Sequence, residues 1–291
     1  MTPGTAVVDA GAEVSLRFGS RTDVGRKRAV NEDSILADSP VFIVADGMGG
    51  HEAGDRASAA VVAEFVLLAG RSELRPEDVS AAVDRAHAAV RAVADGTTKG
   101  AGSTLTGVVL VHHLERPHWL VLNVGDSRVY RMLNSELSQL TVDHSIAQEL
   151  VDNGTMQQSE VATFAQRNVI TRAVGAADSP ADYWLLPVIT GERLLVCSDG
   201  LTGELSDETI RAGLTLNGET QQTADILLGQ ALTRGGRDNI SVIVVDVVAG
   251  GTTVSEDPST SSRVDTSDDT VDVRCDETAE VPGRKGRADD R

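Results

Sequence analysis

The 291-residue sequence has few aromatic residues, few cysteines and no long hydrophobic run. Aromatic residues make up only 3% of the chain, so the aliphatic residues within its 41% hydrophobic content must supply most of a core. Two cysteines are too few for a disulfide framework or a cysteine-rich zinc site, which favours a reducing, cytoplasmic setting. The apolar runs fall short of the ~20 residues that span a membrane, and the N-terminus shows no secretion signal.

Basic charge is also scarce. The chain contains 44 Asp and Glu residues against 26 Lys and Arg residues, which gives a net charge of −18. Affinity for nucleic acids depends on clustered Lys and Arg side chains, so this balance argues against a nucleic acid as the ligand. Cationic partners or bound metal ions suit such a chain better.

The composition changes near residue 250. Residues 251–291 contain 11 acidic and 6 basic residues, and no Leu, Ile, Met or aromatic residue. Such a segment cannot build a core, so we predict a disordered acidic, Ser/Thr-rich tail over residues 250–291. Residues 1–12 are expected to form a flexible N-terminus and residues 13–249 a folded domain. The tail accounts for −5 of the net charge, which leaves −13 on the first 250 residues.

Within this domain, β-branched runs alternate with helical patterns. Strands are predicted at residues 41–45, 106–111, 119–124, 193–197 and 240–247. Helices are predicted at residues 54–68, from residue 76 onward, between residues 144 and 153, after residue 206, and at residues 223–232. The helices come in pairs between groups of strands, which favours a mostly antiparallel α+β layered fold over a doubly wound parallel sheet.

Acidic residues recur beside Gly or Asn where apolar strands begin or end. A carboxylate at such a place is held rigidly, and several that converge would form an oxygen-rich site for divalent cations. Each example alone is an ordinary turn signal, but the repetition favours a site. The residues are Asp46 before Gly47, Asp126 in NVGDSR, Asp199 before Gly200, Asp238 before Asn239, and Asp33 in the NED string after Arg28.

Other phosphate-binding and nucleophilic motifs fail at specific positions. Glu52 occupies the last Gly position of a G-x-G-x-x-G loop that starts at Gly47. Val196 occupies the first Gly position of a G-x-S-x-G elbow around Ser198. Neither cysteine is followed by Arg six residues later, as in cysteine phosphatases, and no G-x-x-x-x-G-K-[ST] loop is present. Covalent catalysis and nucleotide cradling therefore lack their usual signatures.

Taken in order, the motifs resemble those of the bacterial metal-dependent Ser/Thr protein phosphatases, the PPM or type 2C family. The resemblance covers about residues 15–248 and implies a four-layer α-β-β-α sandwich, in which helix pairs flank two mostly antiparallel sheets. The motifs are Arg28, NED at 31–33, DGMGGH at 46–51, GST at 102–104, VGDSR at 124–128, CSDGL at 197–201 and GRDN at 236–239.

The resemblance implies metal-binding roles for the matching residues. Asp46 would bridge two Mn²⁺ or Mg²⁺ ions, with the main-chain carbonyl of Gly47 on one of them. Asp199 and Asp238 would bind the other ion. Asp33 would act through the water shell of the ions. Two cations that share a water lower its pKa and offset the charge on the phosphoryl oxygens.

Further roles follow from the same resemblance. Arg28 would hold the substrate phosphate, because its planar guanidinium can donate two hydrogen bonds at once. Asp126 would help to bind a third, weaker ion. Eukaryotic relatives carry a His two residues after the bridging Asp, where this chain has Met48. His51 is then a candidate for leaving-group protonation or substrate contact, with a hydrogen-bonded loop His as the alternative interpretation.

Two further departures affect the surroundings of the site. Bacterial relatives often have Gly-Thr-Thr after a Met, where this chain has AGST at residues 101–104. In the flap before Arg167 and Asn168, relatives often have His-Pro, where this chain has Phe164 and Ala165. We expect the first change to affect packing, and the second to affect flap motion and substrate choice.

The implied activity is hydrolysis of phosphoserine and phosphothreonine in proteins by direct attack of a metal-bridging water, with Arg28, Asp46, Asp199 and Asp238 as the catalytic residues. Phosphoproteins and Ser/Thr kinases would be its partners, and we expect a cytoplasmic monomer. Two alternatives stay open: a phosphoesterase for small metabolites, and a catalytically silent relative that binds phosphoproteins or senses metal.

Overall fold

The structure is a computed structural model that describes residues 8–10, 14–49, 53–98, 100–216 and 218–252. Within these ranges, no helix is both long enough and apolar enough to cross a membrane.

Two antiparallel sheets form the centre of the molecule. The strand order is β1-β2-β12-β11-β8-β9 in the first sheet and β10-β7-β6-β4-β3 in the second, where β5 also pairs with the end of β4. The strands are β1 (Val8–Ala10), β2 (Val14–Asp23), β3 (Asp33–Asp38), β4 (Val41–Gly49), β5 (Ala101–Ser103), β6 (Leu105–His113), β7 (Arg116–Val124), β8 (Arg128–Leu133), β9 (Glu136–Gln139), β10 (Asp182–Pro187), β11 (Arg193–Cys197) and β12 (Ile240–Ala249).

Helices cover the outer face of each sheet. The pair α1 and α2 packs on β3, β4 and β5 of the second sheet, whereas α6, with α5 beside it, packs on β2 and β12 of the first. The predicted four-layer sandwich is therefore confirmed. The helices are α1 (Gly54–Val66), α2 (Pro76–Asp95), α3 (Ile146–Asp152), α4 (Asp199–Thr202), α5 (Asp207–Leu216) and α6 (Thr220–Arg234), with a 3₁₀ helix at Gln158–Thr163.

Three apolar layers lie between the four structural layers, and the scarce aromatic residues concentrate in the central one. The rings of Phe18 and Phe42 meet edge to face at 5.1 Å between centroids, and those of Phe42 and Trp119 at 6.3 Å. Such pairs contribute about 0.5–1.5 kcal/mol beyond their buried area. The indole N–H of Trp119 donates to Glu192 Oε1 at 2.9 Å. The sheets are thereby packed face to face, which fixes their loops relative to each other.

Local interactions fix the ends of two helices. Pro76 begins α2, where the Asp78 carboxylate accepts from the backbone N–H of Arg75 at 2.9 Å. Ser145 caps α3 through its hydroxyl, which accepts from the backbone N–H of Gln148. Gly154 follows α3 with a φ of +75°, the left-handed conformation in which glycine commonly ends a helix.

The sequence patterns missed several strands and shifted some boundaries. The strands β2, β3, β8, β9 and β10 carry polar residues among their apolar ones, which weakens the hydrophobic signal. The last helix begins at Thr220 rather than at residue 223. The strand β1 lies inside the predicted flexible segment 1–12. At the other end, Thr252 forms hydrogen bonds with Val188 and Thr190, so the folded part continues past residue 249. Residues 253–291 of the predicted tail lie outside the described residues.

Candidate metal centre

Two of the predicted carboxylates come from neighbouring strands of the second sheet. Asp33 begins β3, and its register partner on β4 is Asp46. The next residue, Gly47, donates its backbone N–H to the Glu32 carbonyl at 3.1 Å. A Cβ at residue 47 would lie 1.9 Å from the Gly54 carbonyl oxygen, so only glycine allows α1 to begin this close to the site.

Two more carboxylates come from the first sheet, where β11 and β12 pair side by side. Asp199 begins α4 directly after β11, and Asp238 precedes β12. A Cβ on Gly200 would lie 1.9 Å from the Asn239 carbonyl oxygen, so glycine is required for the two segments to touch. The sheets therefore meet at this edge with two carboxylates each.

Asn239 joins the two groups. Its Oδ1 accepts the backbone N–H of Glu32 at 2.9 Å, and its Nδ2 donates to the carbonyls of Val24 and Val30, each at 2.9 Å. The side chain is only 3% exposed. The segment that carries Arg28 is thereby held against the start of β12, beside Asp238.

Asp126 lies in the loop between β7 and β8 and is tied to Asp46 through hydroxyl groups. Thr104 Oγ1 accepts the backbone N–H of Asp46 at 3.0 Å and lies 2.9 Å from Ser127 Oγ. Ser103 Oγ donates to the Asp46 carbonyl at 3.2 Å. The AGST segment, where an effect on packing is predicted, therefore also provides hydrogen bonds that position the site backbone.

His144 supports the same loop from the other side. The backbone N–H of Gly125 donates to His144 Nδ1 at 3.1 Å, so the proton of the neutral ring lies on Nε2, 3.1 Å from Asp182 Oδ2. The ring is only 5% exposed. His144 thus holds the loop next to Asp126.

The site carboxylates share an unfavourable electrostatic environment. Burial raises the pKa of Asp33 to about 7 and that of Asp199 to about 6, and the charge of Asp238 adds to both shifts. Burial and the neighbouring carboxylates also raise the pKa of Asp46 and Asp126 well above the usual range. Asp33 is 7% exposed and Asp46, Asp126 and Asp199 are half-buried, so the protein packed closely around these carboxylates removes most of their water.

Oxygen atoms without partners mark the centre of this group. Within the described ranges, Oδ1 of Asp33 and Oδ1 of Asp199 are buried and accept no hydrogen bond. As placed, no group of three or more His, Cys, Asp or Glu side chains in these ranges has the geometry to hold a metal ion. Burial and the charges of neighbouring carboxylates raise the pKa of both Asp46 and Asp199. A cation between these carboxylates would offset their charge, so the donor set fits a divalent ion.

Arg28 lies at the rim of the group. Its Nη2 donates to Asp238 Oδ2 at 2.7 Å, and 49% of the side chain is exposed. Partial burial acts to lower the pKa of Arg28, but the nearby carboxylate of Asp238 outweighs this effect and raises it. The guanidinium therefore stays charged and has donors left for an incoming phosphate.

A cavity of about 550 Å³ opens beside the carboxylates. Asp126, Asp199 and Asp238 line it, together with Arg167 and Asn168 from the segment between α3 and β10. Phe164 and Ala165 precede these two residues in the turn after the 3₁₀ helix. The predicted flap segment thus borders the carboxylates.

Of the two residues near the end of β4 that the sequence singled out, Met48 and His51, the structure describes only Met48. Met48 lies in β4 opposite Gly102 of β5. His51, the candidate for leaving-group protonation or substrate contact, lies outside the described residues, so its role stays a prediction. The other predicted residues, Arg28, Asp33, Asp46, Asp126, Asp199 and Asp238, all lie around one site.

Comparison with known proteins decides the family. Residues 25–230 match the family described as protein phosphatase 2C. The chain belongs to this family. The resemblance to bacterial PPM-type phosphatases, drawn from the motifs, is thereby confirmed.

Named relatives share both sequence and fold with this phosphatase-family chain. The serine/threonine protein phosphatase PstP of Mycobacterium tuberculosis is 35% identical over 80% of this chain, which spans 45% of that protein's length. The serine/threonine phosphatase stp of Listeria monocytogenes is 32% identical over 78% of this chain and 94% of its own length. The crystal structure of the PstP catalytic domain in complex with two manganese ions has a TM-score of 0.71 and 35% identity, covering 81% of this chain and 99% of that one.

Sequence reasoning missed the residues that support the carboxylates. Ser198 and Ser241 donate hydroxyl hydrogen bonds to Asp33 across sequence separations of 165 and 208 residues. Asn239 accepts a hydrogen bond from Glu32 across 207 residues, and Thr104 accepts one from Asp46 across 58 residues. The only available signal was their position next to the acidic motifs, since no local pattern reveals a partner so far along the chain.

Proposed function

We propose that this protein is a metal-dependent phosphatase that hydrolyses phosphoserine and phosphothreonine in other proteins. The observation that carries the proposal is the group of carboxylates from both sheets, with raised pKa values and two unpartnered buried oxygens, beside an exposed arginine. Membership of the protein phosphatase 2C family supports it, as do relatives named serine/threonine phosphatases.

The metal would be held by side chains from both sheets. Asp46 lies centrally, because its carboxyl interacts with those of Asp33, Asp199, Asp126 and Asp238. It is therefore suited to bridge two ions. When bound, the ions supply Lewis-acid stabilisation of the phosphoryl oxygens and activate water for attack on phosphorus.

Other ligands complete the proposed centre. Asp199 and Asp238 suit one ion of the pair, and the Gly47 carbonyl suits the other. We propose Mn²⁺ because the PstP catalytic domain is described with two manganese ions. Mg²⁺ is an alternative, because oxygen ligands of this kind accept either metal. Asp126, whose loop is tied to Asp46 through Thr104 and Ser127, is proposed to hold a third ion.

The residues around the metals would bind and orient the substrate. Arg28 offers a charged planar fork to the phosphate, and its contact with Asp238 aims the guanidinium toward the carboxylate group. The adjoining cavity, bordered by Arg167 and Asn168, offers space for the peptide that carries the phosphoryl group. Protein kinases are the expected functional counterparts. The cytoplasmic location and monomeric state stay predictions.

Phosphate release from a phosphothreonine peptide tests this proposal. We expect turnover with Mn²⁺, loss of turnover with EDTA, and a loss of at least about 1,000-fold in Asp46→Asn, since several kcal/mol of charge stabilisation are removed. Asp84→Asn, at an exposed position on α2, is the matched control and should behave as the wild type.

The alternatives have distinct outcomes in the same assay. Activity that survives both EDTA and Asp46→Asn would contradict the metal mechanism. Faster turnover of sugar phosphates than of phosphopeptides would identify a phosphoesterase for small metabolites. Mn²⁺ binding without turnover of any phosphopeptide would identify a catalytically silent relative.

A further inference from the structure

The two oxygens of the Asp33 carboxylate have different surroundings. Oδ2 accepts hydrogen bonds from Ser198 Oγ at 2.9 Å and from Ser241 Oγ at 2.7 Å. Oδ1 is buried and, within the described ranges, accepts none. A carboxylate oxygen has two lone pairs, so the serines fill Oδ2 and leave Oδ1 as the oxygen open to a proton or a cation.

The hydrogen bonds behind Ser241 have a fixed direction. A serine hydroxyl has one proton, and Ser241 gives its proton to Asp33. The contact of 2.8 Å between Ser241 Oγ and Thr22 Oγ1 must therefore be a donation from Thr22. Thr22 Oγ1 in turn accepts from Asn31 Nδ2 at 2.9 Å, and Asn31 Oδ1 accepts the backbone N–H of Asp33 at 3.2 Å.

These four residues, Asn31, Thr22, Ser241 and Ser198, are called the hydroxyl relay below. The relay begins at the surface, where Asn31 and Thr22 lie, and ends at the fully buried Ser241 and Ser198. Every side-chain donor in it points toward Asp33. Such a chain polarises each hydroxyl in the same sense and favours negative charge on the acceptor at its end.

The protons of the Ser198 and Ser241 hydroxyls are not needed to join the two segments. The backbone N–H of Ser198 donates to the Ser241 carbonyl at 3.1 Å, and the backbone N–H of Ser241 donates to Ser198 Oγ at 3.0 Å. These contacts already join the start of α4 to β12. The hydroxyl protons are therefore left over for Asp33.

We propose that the hydroxyl relay positions Asp33 for catalysis, by holding Oδ2 and leaving Oδ1 alone for a divalent cation or for water on that cation. This inference rests on the proposed function.

A matched pair of variants at the surface end of the relay tests the inference. Thr22→Val keeps the shape of the side chain and removes the hydroxyl, whereas Thr22→Ser keeps the hydroxyl. We expect Thr22→Val to lower kcat by about 2- to 10-fold, which corresponds to the net free energy of one hydrogen bond. The KM for the phosphopeptide should stay unchanged. Valine suits a strand, so the melting temperature should not fall. Thr22→Ser should restore the wild-type kcat.

Ser241→Ala tests the buried end. Loss of a residue that orients a metal-site group typically costs about 10- to 100-fold in metal affinity or activity. We expect a loss of this size both in kcat and in the Mn²⁺ affinity of the metal-free protein, measured by titration calorimetry. If Ser241→Ala fails to fold, the pair at Thr22 still decides, because that side chain lies at the surface.

The outcomes separate this inference from the proposed function. If the wild type turns over phosphopeptide but Thr22→Val and Thr22→Ser have equal kcat values, the relay has no positioning role. An effect on melting temperature alone, without change in kcat or Mn²⁺ affinity, would also overturn it. If the wild type binds Mn²⁺ but shows no turnover, the proposed function fails, and weaker Mn²⁺ binding by Ser241→Ala would still support the relay.

Discussion

The aspartates of this protein form two groups that differ in what faces the carboxylate. Around the candidate metal centre, burial and then the charge of neighbouring carboxylates raise the pKa of Asp33 to about 7 and that of Asp199 to about 6. At the edge of the second sheet, Asp182 accepts hydrogen bonds from His144 and Arg172, which lower its pKa to about 2. The residue type is the same, and the direction of the shift depends on whether burial or hydrogen bonds from basic side chains dominate.

Further members of the second group pair with arginines on strands of the first sheet. Asp246 binds Arg193 through two hydrogen bonds of 2.6 and 2.8 Å, and Asp143 binds Arg128 at 2.6 Å. Such carboxylates are already neutralised by the protein and hold the fold together. Those of the first group require a proton or a cation from outside, so they are the ones suited to bind metal. Asp238 is intermediate, because it contacts both the group and Arg28.

The largest difference between the groups is expected in activity. Asp199→Asn removes a proposed ligand and should lower kcat/KM by about 1,000-fold or more, since several kcal/mol of metal stabilisation depend on it. Asp246→Asn should leave kcat/KM nearly unchanged and lower the free energy of unfolding by about 1–3 kcal/mol, because Arg193 loses a charged partner. Phosphopeptide kinetics and denaturant unfolding measure both effects. Similar activity losses in the two variants would remove the distinction.

A smaller effect is expected at Arg28, the positive charge at the rim. Arg28→Lys keeps the charge but loses the planar fork, so we expect kcat/KM for the phosphopeptide to fall by about 10- to 100-fold, mostly through KM. Arg211→Lys is the control, because that arginine pairs with Glu208 on the exposed face of α5. If Arg28→Lys matches the wild type, Arg28 does not bind the phosphate.

The smallest effect on activity is expected from the C-terminal tail. A chain that ends at Thr252 should hydrolyse a small aryl phosphate at nearly the wild-type rate. A chain that ends at Gly250 loses the hydrogen bonds of Thr252 with Val188 and Thr190, so its melting temperature should fall by a few degrees. Thermal unfolding of both chains measures this difference. A large activity loss in the longer chain would show that the tail contributes to catalysis.

The sequence predicted the acidic positions but not their supports. Asp46, Asp199 and Asp238 stand next to Gly or Asn at strand boundaries, and a few neighbouring residues are enough to recognise such positions. The polarised contact between Thr22 and Ser241 joins residues 219 positions apart, so only the folded sheet reveals it. The strong apolar strands were predictable for the same local reason, whereas β2 mixes Arg and Ser with apolar residues, β8 mixes Arg with them, and both were missed.

Thermal unfolding of the metal-free protein at two pH values tests the central claim, that the carboxylates of the first group are stabilised by bound cations. Asp33 and Asp199 have raised folded-state pKa values, so the folded protein keeps protons that the unfolded chain releases between about pH 4 and 7. In EDTA, the contribution of these groups to stability should therefore fall as the pH rises from 5.5 to 7.5.

Addition of Mn²⁺ should reverse this loss. We predict that Mn²⁺ raises the melting temperature more at pH 7.5 than at pH 5.5, because ionised carboxylates bind the metal and protonated ones do not. Asp199→Asn should flatten the pH dependence in EDTA and weaken the response to Mn²⁺. Two results together would contradict the account: a wild-type melting temperature in EDTA that rises with pH by an amount lost in Asp199→Asn, and no response of the wild type to Mn²⁺ at pH 7.5.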